Sequence, residues 1–123
     1  MKFLYCIVLI FIFNGCAESQ FECDTSFQPG VEIILKNENS EFIAEDVTAI
    51  LFEKNHIDTL SVNYFFNDQG EGILLSGAYE RAGNYSLIIS SDLYQTYLDT
   101  NIIVLSGKCH VKTVTLNIVL DYK

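Results

Sequence analysis

The segment that most constrains this chain is its last. From residue 113 to 120, Val114, Leu116, Ile118 and Leu120 fall on one parity, against Thr113, Thr115, Asn117 and Val119 on the other. A period of two over eight residues, rich in β-branched side chains, predicts a half-buried strand. Cys109 and Val111 carry the opposite parity. If both sets face the core, the chain must bulge or kink near Lys112-Thr113, because one extra residue flips every side chain that follows.

Other short apolar runs are set off in the same way. Val31 to Leu35 follows Pro29-Gly30, and a polar loop spans Lys36 to Glu45. Val47 to Phe52 leads to a turn at Lys54-Asn55-His56, and Ile57 to Phe66 holds one long or two short strands. Asn67-Asp68-Gln69-Gly70 is the clearest turn, because Asn, Asp and Gly tolerate the backbone angles that turns need. Gly72 to Ser76 is the next strand, and a turn is expected at Ala82-Gly83-Asn84. Tyr85, Leu87 and Ile89 then alternate, Ser91 to Thr100 is polar and aromatic, and Ile102 to Leu105 precedes a Ser106-Gly107 turn. With one Pro, seven Gly and half the residues apolar, these runs predict an all-β, seven-stranded antiparallel β-sandwich.

The amino terminus has a different character. Met1-Lys2 precedes an unbroken apolar run from Phe3 to Phe13, then Asn14-Gly15-Cys16. A basic start, a short apolar stretch and a small residue describe a secretory signal peptide. The run is too short for a transmembrane helix, which needs about 20 apolar residues. A Cys directly after that small residue resembles the bacterial lipobox. The resemblance implies cleavage between Gly15 and Cys16, lipidation of Cys16 with fatty acyl chains such as palmitate, and permanent anchoring, since stable attachment takes more than one chain. Residues 1–15 are therefore expected to be a signal peptide, 16–30 a lipidated Cys and tether, and 31–123 the folded domain. The expected location is the cell envelope. Ala17 after the Cys points to the outer membrane in a Gram-negative host.

This processing also sorts the four cysteines. Cys6 leaves with the leader and Cys16 carries lipid, so Cys23 and Cys109 remain, 86 positions apart. Two thiols left over in an exported protein are expected to pair. A metal or redox pair would want CxxC spacing or nearby ligands, and neither is present.

The formal charge is −9, sixteen acidic against seven basic residues. That balance disfavours nucleic acid and anionic lipid headgroups, both of which recruit clustered Lys and Arg. Chemistry has few candidates. His56 sits in a polar turn, and His110, beside the expected bridge, reads as a hydrogen-bonded structural residue. Glu45-Asp46 and Asp68 to Glu71 lack the alternating ligand spacing of a calcium loop. No phosphate loop, HExxH or GxSxG occurs, so no catalytic residue, metal or cofactor is expected. Tyr94 and Tyr97, in a polar segment, suit a sugar or peptide platform; the plainer reading has Tyr94 plugging one end of the sandwich.

Glu80-Arg81-Ala82-Gly83-Asn84-Tyr85, Leu87-Ile88-Ile89, Asn101-Ile102-Ile103-Val104 and Cys109-His110-Val111-Lys112-Thr113 together resemble the carboxypeptidase regulatory-like domain. The similarity is closest to its small bacterial lipoprotein relatives, covers residues 31–120 and is most specific from residue 79 onward. It implies a prealbumin-like (transthyretin-like) sandwich with an accessory or scaffolding habit. The hydroxyisourate hydrolases of that fold end in Tyr-Arg-Gly-Ser, whereas this chain ends Leu120-Asp121-Tyr122-Lys123. The expectation is a non-catalytic, lipid-anchored binding or scaffold module, partnered by the membrane and by an envelope protein or glycan. A carbohydrate- or peptide-binding module built on the Tyr94–Tyr97 loop is the alternative.

Overall fold

A computed structural model describes residues 23–44 and 47–123. They form nine strands and no helix: β1 (Val31–Lys36), β2 (Thr48–Glu53), β3 (His56–Thr59), β4 (Ser61–Asn67), β5 (Gly70–Gly77), β6 (Gly83–Ser90), β7 (Tyr97–Ser106), β8 (Val111–Lys112) and β9 (Val114–Val119). A four-stranded sheet in the order β4-β5-β1-β9 packs on a five-stranded sheet in the order β3-β2-β6-β7-β8. The core between them comes from both: Val31, Ile33 and Leu35 of β1 and Ile73 and Leu75 of β5 meet Leu51 of β2 and Tyr85, Leu87 and Ile89 of β6.

The count of nine corrects the expected seven, and two residues explain most of it. At Leu60 the chain leaves the five-stranded sheet, where β3 pairs with β2, and enters the other, where β4 pairs with β5. Leu60 itself is buried, so the switch happens through the core. Thr113 does the same at the far side: β8 pairs with β7, and β9 with β1. The parity conflict between Val111 and Val114 is thereby resolved by a change of sheet. Both side chains pack against the core.

That second switch also corrects the fully antiparallel expectation. The Val114 N–H donates to the Gly30 carbonyl (2.8 Å), so β9 starts where β1 starts. The two strands then run parallel from Val31–Val114 to Lys36–Val119. The remaining strand pairs are antiparallel.

Local turns follow their residues with two shifts. The β4–β5 hairpin closes over Asp68-Gln69, with the Gln69 N–H donating to Asn67 Oδ1 at 2.8 Å. Gly70 follows at φ +119°, a region that suits glycine because it lacks a Cβ. The turn expected at Ala82-Gly83-Asn84 lies earlier, around Tyr79-Glu80, and Gly83 and Asn84 already belong to β6. Likewise β7 begins at Tyr97, inside the segment expected to be a loop, because it pairs with β6 from Ile89 back to Gly83 across one bulge.

One end of the sandwich gathers the starts of β1, β6 and β9. Gly30 is required there: a Cβ would lie 2.6 Å from the Ala78 carbonyl oxygen. Ala78 and Glu80 hold φ of 53° and 52°, left-handed values costly for residues with a Cβ. They are held by a dense set of bonds. Ala78 N–H donates to Asp58 Oδ2 (2.6 Å); Glu80 N–H donates to the Gln28 carbonyl (2.9 Å), and Arg81 N–H to the Ala78 carbonyl (3.1 Å).

Candidate functional site

The strained turn meets the segment ahead of β1 at this same end. Residues 23–29, the later part of the segment read as a tether, are fastened along the sandwich. Cys23 is bonded to Cys109, with Cα atoms 5.2 Å apart. Phe27 stacks on Tyr79, ring centroids 5.5 Å apart. Thr113 Oγ1 donates to the Pro29 carbonyl (2.7 Å), and Gln28 N–H to Glu80 Oε2 (3.2 Å).

His110 sits in the middle of this end. Its Nδ1 bonds Glu80 Oε2, and its Nε2 lies 2.7 Å from Asp24 Oδ1. The other Glu80 oxygen accepts the Val111 N–H at 3.1 Å, which orients the carboxylate towards the ring. Asp24 is oriented by Ser26, whose N–H and hydroxyl both donate to Oδ1 (3.1 and 2.5 Å). An open depression of about 360 Å³ lies here, lined among others by Asp24, Ser26, Glu80, Ser106 and His110.

The electrostatics agree among the three groups. His110 is raised above its ordinary 6.5 by its bond to Glu80 first and to Asp24 second, against a smaller desolvation cost. Asp24 is lowered by the Ser26 hydroxyl and then by His110. Glu80 feels desolvation most, which pushes it up, but bonds from His110, Val111 and Gln28 together carry it below its ordinary value. The arrangement therefore favours an imidazolium between two carboxylates.

A pH dependence follows. Histidine raised on folding adds stability that is full below about 6.5 and is lost as pH rises through its folded value. Lowered carboxylates add stability that is full above about 4.5 and is lost as pH falls through theirs. The three-group contact is strongest between those limits. Thermal unfolding should show a midpoint that falls as pH rises above about 6.5, with a visibly flatter profile in His110→Gln.

A general base must present a ring nitrogen to a substrate proton. Here both nitrogens face carboxylates, and the ring is 21 % exposed. The geometry is suited to holding two chain segments together. Among the described residues, no cluster of three or more His, Cys, Asp and Glu side chains could hold a metal ion.

Other sequence candidates lie elsewhere. Gly15 and Cys16, the expected cleavage and lipidation residues, and Glu45-Asp46 lie outside the described residues. His56 opens β3 opposite Glu53 of β2. Asp68 is in the exposed β4–β5 turn and Glu71 on β5. Tyr94 is 2 % exposed, stacked on Tyr122 at 5.1 Å and bridged to it through the backbone. It fills the opposite end of the sandwich. Tyr97 is half-buried against the core, so the pair offers no open aromatic platform.

The partners of His110 were missed by sequence reasoning. One signal was present: once Cys23 and Cys109 are bonded, the next residue on each side, Asp24 and His110, must be neighbours. Glu80 had no such signal, because the turn that aims it depends on left-handed residues with side chains. Comparison with protein-family models, curated proteins and solved structures finds no match for this chain.

Proposed function

We propose that the protein is a non-catalytic, lipid-anchored β-sandwich of the cell envelope, acting as a binding or scaffold module. The observation that carries this reading is the use made of the chain's most reactive residues. Cys23, Cys109, His110, Asp24 and Glu80 are all spent on fastening the start of the domain to its body. That fastening begins only seven residues after Cys16 (23 − 16). Even fully extended, seven residues span about 25 Å. A lipid on Cys16 would thus hold the His110 end close to the bilayer and point the opposite end, with the Asn67–Gly70 turn, away from it.

The resemblance to the carboxypeptidase regulatory-like domain belongs to the same proposal. Of the four segments that carry it, Glu80 to Tyr85 and Cys109 to Thr113 meet at this one end through Glu80, His110 and Val111, while Leu87 to Ile89 and Asn101 to Val104 run along β6 and β7. We rest a prealbumin-like lineage for the sandwich on that resemblance, and the Ig-like alternative on its short, turn-separated strands.

Labelled palmitate fed to the native host tests the anchor. Incorporation is expected into the wild-type chain and its complete loss is expected in Cys16→Ala. Equal labelling of the two, or none in either, rejects the anchored reading.

A further inference from the structure

The five-stranded sheet ends in short strands, β3 with four residues and β8 with two. The four-stranded sheet ends differently. Its edge strand β4 has seven residues, paired with β5 in unbroken register from Ser61–Ser76 to Asn67–Gly70. Its outer edge pairs with no strand among the described residues. Edge strands are normally blunted by Lys, Pro, a bulge or an inward charge. Ser-Val-Asn-Tyr-Phe-Phe-Asn has none of these, in a chain with sixteen acidic residues.

On one face of this edge the side chains are apolar and open. Phe66 is 78 % exposed and Tyr64 69 %. A depression of about 310 Å³ is lined by Tyr64, Phe65, Phe66 and Glu71. A second, of about 340 Å³, is lined by Ile34, Asn63, Tyr64, Phe65, Asn67 and Leu74. Tyr64 and Phe65, on opposite faces of the strand, line both depressions, so the two meet at this edge; Phe66 and Glu71 belong to the first alone and Asn63 and Asn67 to the second. Phe65 is held in place by an edge-on contact with Phe42, centroids 5.1 Å apart.

We propose that β4 is a strand-addition site for an extended segment of a partner protein, one with apolar side chains at alternate positions and a neutral or basic charge. An added strand sends successive side chains to opposite faces, so every second one would meet the face that presents Tyr64 and Phe66. Main-chain bonds to the free edge would supply affinity and the depressions selectivity. Charge selects the occupant: Glu71 lines one depression, and the chain's −9 repels acidic segments. A second copy fits poorly. It would bring another −9 against the first. The inference rests on reading the chain as a binding module, and not on its lipid anchor.

The test uses the protein purified in detergent and an array of random peptides of roughly nine residues, enough to span β4. Bound sequences should alternate apolar residues and lack Pro and acidic side chains. The tightest should lose about tenfold or more in affinity, read by fluorescence anisotropy, against Phe66→Lys or Tyr64→Lys protein, and when its alternate amides are N-methylated. Both replaced side chains are exposed, and unchanged thermal midpoints check the fold of each variant. Absence of binding, or binding indifferent to both the variants and N-methylation, overturns the proposal. So does a concentration-dependent dimer in sedimentation that Phe66→Lys dissolves, since the occupant would then be a second copy. Failure of palmitate labelling leaves this result untouched, so the two readings fail separately.

Discussion

Replacing both bridge cysteines, Cys23→Ser with Cys109→Ser, should lower the unfolding free energy by about 4–5 kcal/mol. The bridge closes a loop of 86 positions, almost the whole described chain, so removing it restores a large loop entropy to the unfolded ensemble. Small domains have only about 5–15 kcal/mol in all, so the loss is a large share of the total. Other ties still hold the native state at this end. Thr113 still holds the Pro29 carbonyl, and Glu80 still holds Gln28. Urea unfolding would therefore show a much lower midpoint with a native baseline retained in the absence of urea. His110→Gln should have a larger effect in the bridgeless background than in the wild type, because the imidazolium then holds Asp24 without help. That coupling is measurable as a double-mutant cycle.

Tyr85→Ala should cost about 3–5 kcal/mol, whereas Tyr85→Phe should cost about 1 kcal/mol. Tyr85 is fully buried on β6, and its hydroxyl donates back to the Arg81 carbonyl at 2.8 Å. Burial of the ring raises the phenol above its ordinary value, so the hydroxyl stays protonated as donor. A tyrosine returning to the backbone four residues upstream pins the entry to its own strand, a device known in β-sandwich corners. The two variants separate what the ring fills from what the hydroxyl ties. Because Arg81 follows directly on Glu80, loosening this corner should also loosen Glu80. The Phe variant should therefore lose part of the pH dependence ascribed to His110.

Much of the fold was legible because it rests on short-range patterns. Tyr85, Leu87 and Ile89 are all fully buried, as their alternation required, and Val114 to Leu120 keeps its inward parity along β9. What the pattern did not reveal was pairing. Parity says which residues face inward, not which sheet they face inward from, so the switch at Leu60 left one long or two short strands open and that at Thr113 read as a bulge or kink. The parallel β1–β9 pair followed from the second switch and escaped for the same reason. The long β7 was hidden because Tyr97 to Asn101 carries polar residues on a surface face. It becomes a strand through pairing with β6, a tertiary effect that local composition does not report.

The site divides along similar lines. Cys23 and Cys109 could be paired by elimination, and their bond is present. His110 was expected to be hydrogen-bonded, and it is, to two carboxylates. Its strongest partner, Glu80, comes from 30 positions away through a turn that bends against local preference at Ala78 and Glu80. Such strain is affordable only where the surrounding bonds over-determine it. The site thus looks chemically rich in sequence, and in structure its side chains bond the segment ahead of β1 to the body of the sandwich; the exposed apolar edge at β4 was not singled out at all. Val62, Tyr64 and Phe66 alternate as any half-buried strand does. Only the sheet order shows that nothing described covers them.

The account's central claim is that the acylated residue and the fastened end of the sandwich are neighbours in one mature chain. Intact mass and peptide mapping of the protein recovered from native membranes tests it most directly. The account predicts an amino-terminal peptide that starts at Cys16 and carries acyl chains, and a separate peptide pair cross-linked through Cys23 and Cys109. A mature chain that retains residues before Cys16, or an unacylated Cys16 bonded to Cys23 or Cys109, would contradict it.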